Sequence, residues 1–298
     1  MSGWLRSLEG TSDGHSLALV LALFAAVLHA LFGALQKGRH DPWLSRAAID
    51  GSYAAIAAPV ALFVVPSPEP HMWLIFAGAF GIHVIYKLFQ AMTYDRGAYT
   101  VVYPVVRGTA PLFAVLGAGI VFGERFTGGQ WAGLAVLLSG IFGLAAYNLR
   151  NVTADRDTLV PALLLAVATG ATVAAYTTYD AYGIRATADP FTFLAWFFFI
   201  DGLFMPVYMV SRLRRLTMAQ ALPLLRRGVT GAVVAFLSFG SIMLATRLDK
   251  VGEAAVLRET STAFAGLIGG LVLGERVGRV QIALMMLIAA GAVIVEMA

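Results

Sequence analysis

Arg107 and Arg258 sit in two apolar stretches, PVVRGTAPLF at 104–113 and AVLRETSTAF at 255–264, that repeat one pattern 151 residues apart. A guanidinium stays charged and presents a planar fork of donors. Two of them facing one cavity would bind a carboxylate or phosphate bidentately. The same residues could instead lock helices together by holding backbone carbonyls or a buried acid, with Glu259 and Asp180 as candidate partners. The spacing leaves both readings open.

Other polar groups join them inside apolar segments. His83 and Lys87 are four residues apart and share a helix face, with Tyr86 and Gln90 as a second polar stripe beside them. Tyr176 and Asp180 have the same spacing and share a face, while Tyr182 fits an interfacial position. Tyr103 and His29 complete the expected substrate-contacting set. Glu259, Asp180 or Glu253 would meet an amino group, and His83, Glu253 and Glu259 are the candidate proton carriers, His83 because imidazole titrates near neutral pH. Asp201 is expected to cap or pair locally.

These residues stand out because of what surrounds them. The chain has 298 residues, 59% hydrophobic and only 13% charged, against roughly 25% charged in soluble domains. Apolar runs of about 20 residues, the length needed to cross ~30 Å of hydrocarbon, recur with short connections. Their length and continuity favour helices over barrel strands. The spans are placed at about 16–36, 43–65, 71–94, 98–122, 128–148, 159–183, 190–211, 228–247, 251–273 and 278–297, with the longest connection at Ser211–Arg227. The first run is expected to be a retained helix, not a cleaved signal. The formal charge of +4 lies in short loops, where it sets membrane orientation and does not mark a nucleic-acid surface. With no cysteine there is neither a disulfide nor a thiolate metal site.

Shifting the sequence on itself by 151 gives 15 identities in 45 positions over 96–140. Arg107 falls on Arg258, Thr109 on Thr260, Gln130 on Gln281, Gly140 on Gly291, and the GER of 123–125 on the GER of 274–276. The chain therefore divides into five-span halves, 1–150 and 151–298. An odd number of spans per half makes the halves insert in opposite senses, which is a hallmark of carriers with a site at the repeat interface. Lys and Arg number thirteen in loops after odd spans and five in the other loops and the amino-terminal tail, placing both termini on the periplasmic side of a bacterial-type inner membrane.

Gly123 and Gly274 should close spans 4 and 9 in the left-handed conformation, with Glu124 and Glu275 at the positive end of the next helix. Thr127 and Gln130 fit a capping box. Pro104 and Pro111 should kink span 4 and turn it toward a cavity. No zinc-protease, nucleophile-elbow or phosphate-loop motif occurs, so an enzyme, a metal, a cofactor or ATP drive is not expected.

The stretches PVVRGTAPLFAVLGAGIVFGERFTGGQWAGLAVLLSGIFGL (104–144) and AVLRETSTAFAGLIGGLVLGERVGRVQIALMMLIAAGAV (255–293), with ten spans in two halves, resemble the EamA-type members of the drug/metabolite transporter superfamily. The resemblance implies a secondary carrier with its cavity between spans 1, 3, 4 and 6, 8, 9. The second copy departs from the first, since Pro104, Gly108 and Pro111 become Ala255, Glu259 and Thr262. The expected fold is thus all-α, with ten transmembrane helices as two inverted repeats. The expected function is alternating-access transport of a small polar metabolite bearing a carboxylate, most plausibly amino-acid export. Efflux of organic cations is the alternative, and a non-transporting scaffold or receptor the reading from another class. The expected partners are a small-molecule substrate and the lipid bilayer, without nucleic acid, the chain being a monomer or weak homodimer.

Overall fold

The structure, a computed structural model, describes residues 2–36, 41–97, 99–150, 156–271 and 278–298. The second GER, Gly274 to Arg276, lies outside the described residues, as do Lys37 and Arg39 of the orientation count. The described chain is helical, without strands. In order the helices are α1 (Ser2–Leu8), α2 (Ser12–Gln36), α3 (Pro42–Phe63), α4 (Met72–Arg96), α5 (Tyr99–Phe122), α6 (Gly128–Arg150), α7 (Arg156–Ala186), α8 (Pro190–Asp201), α9 (Phe204–Tyr208), α10 (Val210–Leu213), α11 (Met218–Leu248), α12 (Val251–Arg258), α13 (Ser261–Leu271) and α14 (Arg279–Met297).

Local chemistry sets many of these ends. Asp41 caps α3 by accepting from the amides of Trp43 and Leu44, and Asp189 caps α8 by accepting from Thr192, each followed by proline at the first helical position. Thr127 and Gln130 form the expected reciprocal box at the start of α6, at 3.0 and 3.1 Å. Gly123 takes φ 69° and ends α5, as its position in the motif predicts. The arginine-rich segment 211–227, expected as loop, is largely helix instead. Thr217 and Gln220 cap α11, which starts at Met218. Hydropathy locates the apolar part of that helix and is blind to its polar first turns.

Among the described residues, eight helical segments are long and apolar enough to cross a membrane. The expected spans at 43–65 and 251–273 are not among them. In α3 the charges of Arg46 and Asp50 lower the mean hydropathy, and the other segment is interrupted at Glu259 and Thr260 between α12 and α13. Span 190–211 is likewise three consecutive helices, α8 to α10. α5 continues through Pro104 and Pro111 without a break.

The helices pack α2 on α11, α4 and α5 on α7, α3 on α8 and α11, α2 on α12 and α13, and α6 on α14. Lipid offers no hydrophobic gain for helix association, so close backbone approach through small residues has to supply dispersion. The α6–α14 crossing shows this plainly: a Cβ on Gly291 would stand 2.4 Å from the Leu137 amide nitrogen, and one on Gly133 would stand 2.7 Å from that of Val295. Of the two large apolar cores, one is built around α3, α4, α7, α8 and α11 and the other around α2, α6, α11 and α14.

Candidate functional site

α5 sets Tyr103 and Arg107 one turn apart. Both are buried, and the Arg107 Nε donates to the Tyr103 hydroxyl at 3.3 Å, with the guanidinium 5.5 Å from that ring's centroid. Opposite, the chain between α12 and α13 tightens into i→i+3 bonds. Glu259 N donates to Val256 O, Thr262 N to Glu259 O, and the Thr260 hydroxyl to Leu257 O. This turn delivers the fully buried Glu259 carboxylate to Arg107 Nη1 at 3.1 Å and to Arg258 Nε at 3.8 Å. Arg258 also donates to Thr177 Oγ1 at 3.3 Å. Two guanidiniums thus share one carboxylate. Among the described residues, Arg107 Nη2 and Glu259 Oε2 have no hydrogen-bond partner.

A second buried group joins α3, α4, α7 and α8. The Lys87 ammonium lies 2.7 Å from Asp50 Oδ2, 2.9 Å from Asp201 Oδ1 and 2.6 Å from the Asp201 carbonyl. Arg46 Nε lies 2.8 Å from Asp50 Oδ1 and Arg46 Nη1 donates to Gln90 Oε1 at 3.1 Å. Tyr53 donates to Asp201. His83 bridges two acids, with Nε2 2.9 Å from Asp180 Oδ2 and Nδ1 3.6 Å from Asp201 Oδ1. Asp180 Oδ1 is buried without a hydrogen-bond partner among the described residues.

Aromatic rings connect the two groups. Tyr176 packs at a tilt 4.6 Å from His83 and 4.8 Å from Tyr86, and the next residue, Thr177, accepts from Arg258. His29, half-buried, packs against Phe32 and Phe239. The cavity lined by Arg46, Tyr53, His83, Tyr86 and Asp201 measures about 10 Å³, on the order of one water, so these side chains pack closely around it. A larger cavity of about 730 Å³ lies between α5 and α7 and is walled mainly by apolar side chains such as Leu116, Ile120 and Val121.

A third group ties helix ends near the carboxyl terminus. Glu124 of the first GER does not serve the next helix. It accepts from the amides of Val251 and Gly252 at 2.8 and 2.9 Å and so caps α12, across the molecule. Glu253 pairs with Lys250 and accepts from Gln130, both at 2.6 Å. The Lys250 hydrogen bond to Glu253 raises that ammonium above its ordinary pKa. Arg185 donates to the carbonyls of Thr246 and Asp249, and Arg247 pairs with Glu9 at 2.7 Å. His15 reaches Asp249 and Glu296.

The expected residues therefore divide. Arg107, Arg258, Glu259 and Tyr103 come together, as do His83, Lys87, Tyr176 and Asp180, while Glu253 stands apart at a helix end and His29 packs among aromatics. Three expectations are corrected. Asp180 holds His83 and not an arginine. Asp201 pairs across the bundle with Lys87 and Tyr53 and not locally. Arg46 is buried within α3 at 9% exposure, which removes it from the loop charges of the orientation count. Asp50 and Tyr53 escape the sequence reading, although the Arg46–Asp50 spacing of four inside an apolar span is a visible signal of a paired charge.

The model of one protein family, described as the EamA-like transporter family, matches residues 14–146 and again 160–297. No sequence among curated proteins matches. Among solved structures, a protein known by a crystal structure is 19% identical with a TM-score of 0.71, covering 96% of this chain and 98% of its own, and so shares the fold.

Proposed function

The chain belongs to the EamA-like transporter family and is a multi-pass membrane protein, and from that premise we propose that it is an alternating-access secondary carrier of a small amino acid, working as an exporter in a bacterial-type inner membrane. The observation that carries the substrate class is a pair of opposite, unmatched buried atoms: Arg107 Nη2, a donor, and Asp180 Oδ1, an acceptor. The arginine group holds two cations against one carboxylate, leaving an excess positive charge. Around Lys87, three carboxylates face the fixed cations Arg46 and Lys87, leaving an excess negative charge while His83 is neutral. A zwitterion fits this arrangement, carboxylate toward Arg107 and Arg258 and ammonium toward Asp180, and its entry keeps the core neutral. Buried charge is tolerated at membrane depth only when it is matched in this way. Tyr176 lies against His83 and Tyr86, and Tyr103 orients Arg107.

Alternating access requires an opening motion, and two inverted five-span halves, 1–150 and 151–298, would provide it. Ten spans follow when α3 and the α12–α13 pair are added to the eight apolar helices. The exchange of packing partners supports this symmetry: α2 on α11 answers α7 on α4, and α5 on α7 answers α13 on α2. The two separate matches to one family model support it too. The bonds of Glu124, Arg185 and Arg247 fasten the end that carries the carboxyl terminus, which the Lys and Arg bias assigns to the periplasm.

The Arg107–Glu259 contact at 3.1 Å favours a second reading, in which the arginines only lock helices. The double variant Arg107→Gln/Glu259→Gln separates the two, because it removes the pair while conserving net charge. In liposomes loaded with a mixture of labelled amino acids, flux should fall at least about tenfold, the size expected for a lost charge-assisted hydrogen bond, while the protein elutes as a folded species. Undiminished flux assigns the pair to locking and overturns the substrate class.

A further inference from the structure

Ends of four helices meet close to the carboxyl terminus. His15 lies in the first turn of α2, Asp249 at the end of α11, Glu253 in the first turn of α12 and Glu296 in the last turn of α14. The His15 imidazole stands between two carboxylates, with Nδ1 on Asp249 and Nε2 3.1 Å from Glu296 Oε1. One ligand atom each from His15, Asp249 and Glu253 lies within 4.8 Å of the other two. A cavity of about 10 Å³ among them, also lined by Lys250 and Glu296, has on the order of one water's room. Glu253 is 7% exposed, and its bonds from Gln130 and Lys250 both fall on Oε1. Three carboxylates thus face one ammonium, an excess of two negative charges while His15 is neutral. A solvated acidic patch needs no cation to match it, but a carboxylate buried as Glu253 is does. Carboxylates alone would suit calcium or magnesium, and an imidazole among them shifts the preference to zinc and its neighbours. Zinc bonds of about 2.0–2.2 Å put tetrahedral ligand atoms roughly 3.4 Å apart, so the three side chains need to draw in by little more than an ångström. His15, with its side chain 48% exposed, has the freedom to do so.

We propose that His15, Asp249 and Glu253 form a binding site for a divalent transition-metal ion of the zinc class. His15 binds through Nδ1, taking the ion in place of its contact with Asp249, while Nε2–H stays on Glu296. A carboxylate behind a ligating imidazole fixes its tautomer and raises its basicity, so Glu296 is a positioning residue. Asp249 gives its carboxylate, Glu253 its Oε2, and a water completes the tetrahedron. The ion cancels the two excess charges and ties α2 of the first half to the α11–α12 junction of the second. Sequence spacing carries no sign of the site, because His15 and Asp249 are 234 residues apart. It is independent of the substrate reading, since neither Arg107 nor Asp180 takes part.

Calorimetric titration of Zn²⁺ alone into the purified full chain in detergent, with any affinity tag removed, tests it. Wild type should bind one ion per chain, and excess Zn²⁺ should raise the melting temperature, because the ion binds only the folded state. Glu296→Gln should weaken binding by about 10- to 100-fold, the loss expected when the support of a ligating imidazole is removed, and His15→Ala should weaken it further. Lys250→Met takes away the competing ammonium and should bind at least as tightly as wild type. Absence of both binding and a rise in melting temperature overturns the site, as does equal affinity in wild type and the His15 and Glu296 variants. An equal rise with Ca²⁺ that survives His15→Ala overturns it too, because the imidazole is then no ligand. Should His15→Ala fail to elute as a folded species, Glu296→Gln carries the test, and unchanged Zn²⁺ affinity in that variant overturns the proposal.

Discussion

Lys87 and Arg107 are both buried cations in the same bundle, and their surroundings differ in kind. Lys87 fills its donor capacity, with Asp50, Asp201, the Asp201 carbonyl and the Tyr53 hydroxyl all within 3.2 Å. Arg107 shares a single carboxylate with Arg258 and, among the described residues, keeps one nitrogen without a hydrogen-bond partner. A network with every cation matched rigidifies a core. One with an unmatched donor is a place where a ligand's acceptor contributes most. The difference separates a fully paired cation from the cation proposed to face a ligand, although both look alike as intramembrane charges in sequence.

The sharpest way to break that distinction is Lys87→Met. It leaves Asp50 with Arg46 alone and Asp201 without its ammonium partner, and should cost about 3–5 kcal/mol of stability, read as a large fall in melting temperature or in folded yield. If this variant is as stable as wild type, the Lys87 cluster is not what holds α3, α4 and α8. Asp180→Asn should cost less, about 1–3 kcal/mol for one buried partner, yet abolish amino-acid flux in liposomes. A variant that loses stability and transports normally would move Asp180 to the structural side. Glu124→Gln weakens the cap on α12 and should cost about 1 kcal/mol, measured by thermal unfolding. Pro111→Ala is expected to be the mildest, under about 1 kcal/mol in either direction, because α5 already runs unbroken through that position. A large effect would place a functional bend there.

That last expectation comes from a second contrast, between the copies 104–111 and 255–262. Two prolines make the first copy the obvious place for an interrupted helix, but the interruption is in the second, which has none. A bundle can absorb the carbonyls that proline frees when neighbouring helices surround them. The break follows instead from Thr260 bonding back to Leu257 and from Glu259 being drawn between two guanidiniums. Local propensity marks the wrong copy because one of the groups that hold the interrupted turn, the Arg107 guanidinium, comes from the other half of the chain.

Much of the molecule is readable in one dimension. Apolar run length predicts membrane-spanning helices, and spacing predicts the Thr127–Gln130 box and the left-handed Gly123. The internal repeat by itself aligns Arg107 with Arg258. Each of these depends on neighbours a few residues away or on identity at a fixed offset. The pairing of charges does not. His83 and Asp180 are 97 residues apart, Lys87 and Asp201 are 114, and Arg107 and Glu259 are 152. An ion pair depends on a few ångströms of separation and on the dielectric around it, and neither quantity exists until helices from both halves are packed. The sequence alone thus determined that charges are carried into the membrane and on which helices. Tertiary structure alone decided that Glu259 holds Arg107, that Asp180 holds His83, and which buried atoms of the described residues stay unmatched.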